Sequence, residues 1–394
     1  NDYLNNTELA RDPNEMNQQL DHVLGLMGDL EQAVMNFVDA KGKKEKRAVY
    51  MKKLMIPAIR NVRVNIVSKI VKYRVNPPDF PPKLYLIAYG ELTRLPRTMD
   101  PSMKSRESAS GALNTVNFFK PNFSEEYVFK KDKKTLTDEE DDAFYAGIAK
   151  IDIKKANFAK RNLALYRLDK LLGGNLIPKT ELAMRVVNNG KKPQFEKGTI
   201  MQVAKGVSAK ELVGSNRFVK KDNTSAKKDG SQQPNINITD PNLQRLLSRL
   251  SMLDALAMQI DRHLGNYFIE FDEDGNVTGV KGIDNDLAFG TMTSLSQFHN
   301  YAGLNKLFLD KDMAQRILAL RNEDLQAVLG DLLSPEEMQA LFTRLDKLKK
   351  HISSAKLLEP HEWNDTTAEL QADEKKDRFS DVGYYGDLYA GWRM

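Results

Sequence analysis

The chain has 394 residues, 59 Lys+Arg against 54 Asp+Glu, and is 41% hydrophobic and 29% charged, an ordinary globular composition that is neither disordered nor fibrous. At roughly 150 residues per domain, this length suits two or three units with sizeable cores. There is no Cys, which excludes a disulfide scaffold, a thiolate zinc site, an iron–sulfur cluster and a cysteine nucleophile. No apolar run reaches the ~18 residues of a membrane-spanning helix, so a soluble protein is expected. The chain starts at Asn1 rather than Met, as a fragment would, which leaves room for an upstream targeting signal.

The net charge of +5 is unevenly spread. Residues 41–74 hold 12 Lys/Arg and one acid, Glu45, a local net of +11, so the rest of the chain carries −6. Such a block suits an anionic partner (nucleic acid, acidic lipid headgroup or polyphosphate) or forms a solvated helix surface.

Residues 14–75 read as helix. Leu20, Val23, Leu24, Met27, Leu30, Val34 and Phe37 recur at steps of three and four, which marks one apolar face. The charged stretch 41–47 reads as a connection, Pro57 as a break or kink, and 59–73 as a second helix stopped by Pro77-Pro78. Repeated prolines up to Pro96 predict an irregular linker, so residues 1–100 form a separate helical module. From Gly111 the pattern turns to strand. Residues 113–119 and 127–129 flank a turn-prone segment and predict a hairpin. The acidic run 137–142 is a loop or a helix start. A helix over 159–172 carries Leu165, Leu168, Leu171 and Leu172 on one face and ends at Gly173-Gly174. Strands are predicted at 181–187 and 199–204, and a polar loop at 220–233.

The clearest element follows. Asp240 caps, Pro241 takes the first helical position, and Leu243, Leu246, Leu247, Leu250, Leu253, Leu256 and Ile260 form a core stripe. Two strands, 267–272 and 277–283, then make a hairpin around Asp274-Gly275. A calcium-loop reading of 272–276, with Glu270 at position 1, places Lys281 where a bidentate Glu is required, which favours a hairpin turn there. Helices occupy 311–352, with a cap at Ser334. Trp363 and Trp392 are either core filler or part of a docking segment.

Chemistry concentrates in Asp261, Arg262, His263 and Asn266, which follow the capped helix, and in Asp284, which follows the hairpin. Phosphoryl transfer uses such parts. One carboxylate orients the acceptor hydroxyl, a second carboxylate and an amide oxygen hold Mg²⁺, and a lysine on an earlier strand reaches the phosphates. Lys130 in YVFK is the lysine candidate, with Lys131 adjacent.

DRHLGN with IDNDLAFG resembles the catalytic and metal loops of the atypical kinases, notably type II phosphatidylinositol 4-kinases, secretory-pathway casein-kinase-like kinases and bacterial effector kinases. LALYRLDKLLGGNLIPKTELA resembles their helix-then-strand segment, and SGALNTVNFF followed by YVFKK their glycine loop and lysine strand. The likeness covers about residues 105–345. It implies an α+β, two-lobed protein-kinase-like catalytic domain after an all-helical module. The small lobe would occupy 101–206, the large lobe 207–360 and a tail 361–394. It also implies ATP with Mg²⁺ or Mn²⁺, held by Gly111, Lys130 and a hinge at 201–204 that includes Met201 and Val203. Asp261 would be the catalytic carboxylate, Asn266 and Asp284 the metal ligands, and His263 a proton assistant or a brace. The implied activity is that of a protein Ser/Thr kinase, as in a bacterial effector or toxin secreted into another cell. A phosphoinositide kinase whose 41–74 segment lies on anionic membrane is the alternative, followed by AMP transfer or an inactive scaffold. Nucleic acid is not expected as a partner. The chain departs from the pattern at three points. Asn162, beside Arg161, stands near the usual place of the lysine-pairing glutamate, leaving Glu181 or an acid of 138–142 for that task. Gly111 is the one glycine of its loop, and Asp286 replaces a glycine.

Overall fold

A computed structural model describes residues 7–41, 45–84, 98–99, 105–110, 115–119, 126–132, 146–188, 193–219, 235–295 and 307–373. Gly111, the acidic run 137–142, the loop 220–233 and Trp392 lie outside these residues. The chain divides into two compact units. The first comprises Asn1–Arg94, Arg167–Gly173 and Gln315–Asp331; the second comprises Leu95–Tyr166, Gly174–Ala314 and Leu332–Met394. Among the described residues, no helix is long and apolar enough to cross a membrane.

In the first unit, helices α1 (Pro13–Lys41) and α2 (Lys46–Val75) pack together. Met16, Leu20, Val23, Met27, Val34 and Val38 bury one face of α1. The predicted stripe is therefore displaced: Leu30 and Phe37 stand exposed at its margin, and Val38 is buried instead. Pro57 does not break the chain but sits inside the continuous α2. The lost backbone bond is outweighed by burial of Ile56, Ile59, Val64, Val67, Ile70 and Val71 along the same helix.

The basic block is partly neutralised within this unit. Arg60 and Arg63 both pair with Glu31, and Arg60 also pairs with Asp331. Arg74 binds Asp324, whose side chain is fully buried and also accepts from the Arg321 backbone N–H at 2.8 Å, the first residue before the helix at Asn322–Leu329. Arg167, on the last turns of helix α3 (Phe158–Leu172), pairs with Asp331 at 2.7 Å. Removing one member of a buried pair leaves the other charge without compensation. Asp324→Ala should therefore lower stability by about 3–5 kcal/mol, measured by urea unfolding.

The second unit opens with a six-stranded sheet in the order β1-β5-β6-β4-β3-β2, made of β1 (Thr98–Met99), β2 (Ser105–Ser110), β3 (Thr115–Phe119), β4 (Tyr127–Lys131), β5 (Thr180–Asn188) and β6 (Pro193–Gln202). All pairs are antiparallel except β1 with β5. β2 reads SRESAS and offers no apolar alternation, so sequence periodicity misses it. Phe119, Phe129, Ala183 and Ile200 form the sheet's core cluster. Gly198 on β6 lies under the Lys130 carbonyl, where a Cβ would fall 2.1 Å from that oxygen. Only glycine lets the two strands approach so closely at the lysine.

A helical region follows, and it contains a second, three-stranded sheet in the order β11 (Val277–Gly282), β10 (Tyr267–Phe271), β7 (Val207–Ser208). Short strand β7 (Val207–Ser208) leads into α4 (Ala209–Gly214), and a two-residue pair, β8 (Phe218–Val219) with β9 (Ile236–Asn237), precedes α5 (Pro241–Ala257). Asp240 caps α5 by accepting from the Leu243 N–H. The helix stops earlier than the apolar stripe implies, because Met258 turns left-handed (φ 54°) and leaves Ile260 beyond the end. β10 (Tyr267–Phe271) and β11 (Val277–Gly282) form the predicted hairpin, its turn held by Asp272 Oδ1 accepting from the Asp274 and Asn276 N–H groups.

The predicted helical run 311–352 consists of α6 (Lys311–Leu318), α7 (Asn322–Leu329) and α8 (Pro335–Ser354), the last capped by Ser334 and Glu337. β12 (Phe308–Asp310) and β13 (Lys356–Leu358) pair in parallel. Trp363 is buried edge-on against Phe308, with ring centroids 6.5 Å apart, which makes it core rather than an exposed docking group. A last helix, α9 (Asp365–Asp373), closes the described chain, and its Gln371 exchanges two hydrogen bonds with the Phe308 backbone.

Candidate active site

Strand alternation directs Lys130 and Lys131 to opposite faces of β4. Lys131 is exposed and pairs with Glu196, whereas Lys130 is 9% exposed. The Lys130 ammonium donates to Asp284 Oδ1 and to Asp286 Oδ2, both on the loop that leaves β11. These two aspartates, rather than a helix glutamate, hold the lysine. Desolvation alone would lower the lysine's pKa, but the two carboxylates raise it well above its ordinary value. Desolvation would likewise raise Asp284, and the Lys130 charge holds it below the usual carboxylate range instead.

Asp284 adopts φ 54°, a left-handed conformation that costs free energy in a non-glycine residue. Its carbonyl accepts from Gln259 Nε2 at 2.9 Å, which fixes the peptide, and Gln259 Oε1 in turn accepts from the Asp261 N–H. Asn266 Nδ2 donates to the Asp261 carbonyl at 2.7 Å and to Asp261 Oδ2 at 3.0 Å. The Asp261 carboxylate and the Asn266 amide are thus locked together, and the loop before the hairpin is tied to the loop after it.

Arg262 makes the larger part of that connection. It is 3% exposed and donates through Nε and Nη2 to both oxygens of Asp254 on α5, each at 3.1 Å. Nη1 donates to the Asn266 carbonyl at 2.9 Å and to the Ile283 carbonyl, and Nη2 reaches Asn285 Oδ1 at 2.7 Å. Gly282 leaves the space for it, since a Cβ there would lie 2.8–2.9 Å from the guanidinium. The loop after Asp284 is gripped by α3 as well. Asn162 Oδ1 accepts from the Asn285 N–H, and Arg161 Nη1 donates to the Ala288 carbonyl at 2.7 Å. Arg344 on α8, fully buried and pushed down to about 9 by burial, donates to the carbonyls of Leu256, Gly290 and Met292.

Burial displaces two titratable groups from their ordinary values. Burial, followed by the Asp284 and Asp286 charges, pushes Asp261 up to about 7 against the pull of Arg262 and Lys130. Burial pushes His263 down to about 4, so it is neutral near pH 7. Its Nδ1 accepts from the Gly265 N–H at 2.9 Å, which assigns the ring proton to Nε2 and makes His263 a brace of its loop.

Met201 is buried on β6 opposite Val128, and the next two backbone N–H groups are already used, Gln202 donating to the Lys179 carbonyl and Val203 to the Glu126 carbonyl. Gly111 lies outside the described residues. Of the acids suggested for the lysine, Glu181 is buried on β5, and the 138–142 run is likewise outside the described residues. Sequence reasoning gave no role to Gln259 and Asn285 and treated Asn162 and Asp286 as departures from a pattern. Their polar side chains stand beside an apolar core, a signal visible only once burial is known.

The donor set suits a hard divalent cation. With Nδ2 of Asn266 occupied by Asp261, its Oδ1 is the atom left to face a cation, and the Asp284 side chain is 41% exposed. Among the described residues, no three His, Cys, Asp or Glu side chains gather as a complete metal cage. An amide and a carboxylate oxygen with the other positions left to phosphates and water are the mode Mg²⁺ uses at nucleotides.

No protein-family model matches the chain, and no curated sequence does. Among solved structures it is similar to a Golgi casein kinase at 14% identity and a TM-score of 0.38, over 62% of this chain and 70% of that one. It is also similar to the Helicobacter pylori proinflammatory kinase CtkA at 12% identity and a TM-score of 0.34, over 70% of this chain and 97% of that one. At these identities and scores the likeness transfers no residue roles.

Arg262→Ala would strip Asp254 of its guanidinium in a fully buried position. A loss of about 3–5 kcal/mol is expected in denaturant unfolding, with the Arg262→Ala/Asp254→Ala pair losing less than the two single losses together.

Proposed function

We propose that the protein is an ATP-dependent phosphotransferase, a protein Ser/Thr kinase of atypical type. The observation that carries this reading is the contact of Lys130 with Asp284, which joins a buried strand lysine to the carboxylate of a residue held in the left-handed backbone region beside the Asp261–Asn266 pair. A bound lysine of this kind offers positive charge to nucleotide phosphates, and Asn266 and Asp284 would hold Mg²⁺ or Mn²⁺. The cation would supply charge neutralisation at the phosphate oxygens. Asp261 orients the acceptor hydroxyl and takes its proton while the acceptor oxygen bonds to the γ-phosphorus and the bond to the β–γ bridging oxygen breaks, releasing ADP. His263 is neutral and keeps the loop in shape while presenting Nε2–H.

A protein acceptor is favoured over a phosphoinositide because Arg60, Arg63 and Arg74 are engaged with Glu31, Asp331 and Asp324, which lowers the charge left in 41–74 for an anionic surface. The role of a bacterial effector acting in another cell is added on the sequence resemblance alone.

Incubation with γ- and α-labelled ATP tests the reaction. The γ label should reach an acceptor hydroxyl while the α label stays on the nucleotide. Incorporation should disappear in Asp284→Ala. Transfer of the α label would replace phosphoryl by AMP transfer, and wild-type turnover in Asp284→Ala would remove the metal assignment.

The pH profile follows from Asp261. Its proton-accepting form is the carboxylate, and its raised pKa keeps it protonated below about 7 in the free enzyme, so kcat/KM should rise with pH through about 7 and level off above. His263→Gln should leave that limb in place, because His263 titrates near 4. A limb that moves with His263→Gln would transfer the proton role to the histidine.

A further inference from the structure

The metal loop carries one more acid than a single cation ligand needs, and it is the better buried of the two. The Asp286 side chain is 9% exposed against 41% for Asp284, and both accept from Lys130. Helix α3 presents no acid to the lysine at the two positions that reach this loop. Asn162 and Arg161 instead hold the backbone on either side of Asp286, through the Asn285 N–H and the Ala288 carbonyl. Arg161 is itself neutralised by Glu337 on α8, and Arg262 holds the Asn285 side chain. Asp286 therefore lies on a segment clamped from three sides, with its carboxylate directed inward at the lysine.

We propose that Asp286 is the positioning residue of Lys130, and that Asp284, the more exposed of the two, is left to serve the cation. This rests on the phosphotransferase reading and adds to it a division of labour within the Asp284-Asn-Asp286 segment. The lysine and the cation ligand are aligned by residues two apart on one clamped loop. Alignment of Lys130 then does not depend on a movable acid of α3, whose contribution is the grip on residues 285 and 288. An acid at position 286 is accordingly a requirement of this chain rather than a stray charge: with Asn162 in place on the helix, a glycine there would leave the buried lysine with Asp284 as its one partner from this loop.

Two measurements on the full chain test this. The first needs no nucleotide. Lys130→Met, Asp286→Asn and the double variant are compared by thermal unfolding. Coupled residues should give a double variant whose Tm loss is clearly smaller than the sum of the single losses, and losses that add would overturn the pairing. The second titrates a fluorescent ATP analogue with and without Mg²⁺. Asp286→Asn should weaken nucleotide binding about ten-fold while the Mg²⁺ concentration at half-saturation stays within about two-fold of wild type. Asp284→Asn should instead raise the Mg²⁺ requirement about ten-fold. If Asp286→Asn raises the Mg²⁺ requirement as Asp284→Asn does, Asp286 is a cation ligand and the proposal fails. If the wild-type chain binds no nucleotide under either condition, the phosphotransferase reading fails, while the unfolding comparison still decides whether Asp286 holds Lys130.

Discussion

The geometry of the site depends on one buried arginine. Arg262 spreads its donors over Asp254 on α5, the carbonyls of Asn266 and Ile283, and the side chain of Asn285. Those acceptors belong to a helix, the loop before the hairpin, the exit of β11 and the loop after it. Lysine could not replace it, because a single ammonium cannot reach acceptors in several directions within one plane. The Asp254 carboxylate offsets the guanidinium's loss of hydration, and the carbonyls complete its hydrogen bonds, the condition under which a buried charge pair is tolerated. With that frame set, the left-handed turn at Asp284 is held by its surroundings rather than by its own preference.

Around this frame the electrostatics are deliberately unequal. Three carboxylates, Asp261, Asp284 and Asp286, share a region with Lys130 as the cation in direct contact with two of them. The lysine lowers Asp284, while burial, with the charges of Asp284 and Asp286 behind it, raises Asp261. One cluster thus keeps one carboxylate ionised and poises another near neutrality, which is the separation of tasks a phosphoryl transfer uses. His263 is removed from the proton balance by burial and is retained as a hydrogen-bonding brace.

The first unit follows a related rule on a larger scale. Its arginines are held by acids that come from distant parts of the chain: Glu31 from α1, and Asp324 and Asp331 from the segment Gln315–Asp331. The last turns of α3 join the same unit, where Ser68 donates to the Lys170 carbonyl. The basic segment 41–74 is therefore partly an internal adhesive, and its formal charge overstates what it offers to a partner.

Much of this was legible in the residue order. The capped α5, the hairpin after it, the strand bearing Lys130 and the end of α3 at Gly173 all follow from local rules of capping, alternation and turn chemistry that act within a few residues. The candidate set of Lys130, Asp261, Asn266 and Asp284 is visible for the same reason, since each stands at the edge of such an element. What escaped were features decided by contacts across long sequence separation. Pro57 stays in a helix because buried neighbours outweigh one lost bond, and β2 is a strand because β3 pairs with it, although SRESAS has no strand pattern. The two acids that pair with Lys130 lie 154 and 156 residues away on a loop, and Asn162 holds that loop rather than the lysine. Local residue order accounts for most elements and for the kinds of chemical group on offer. Which groups lose their water together is settled by contacts between distant segments, and that shared desolvation turns separate aspartates, a lysine and an arginine into one site.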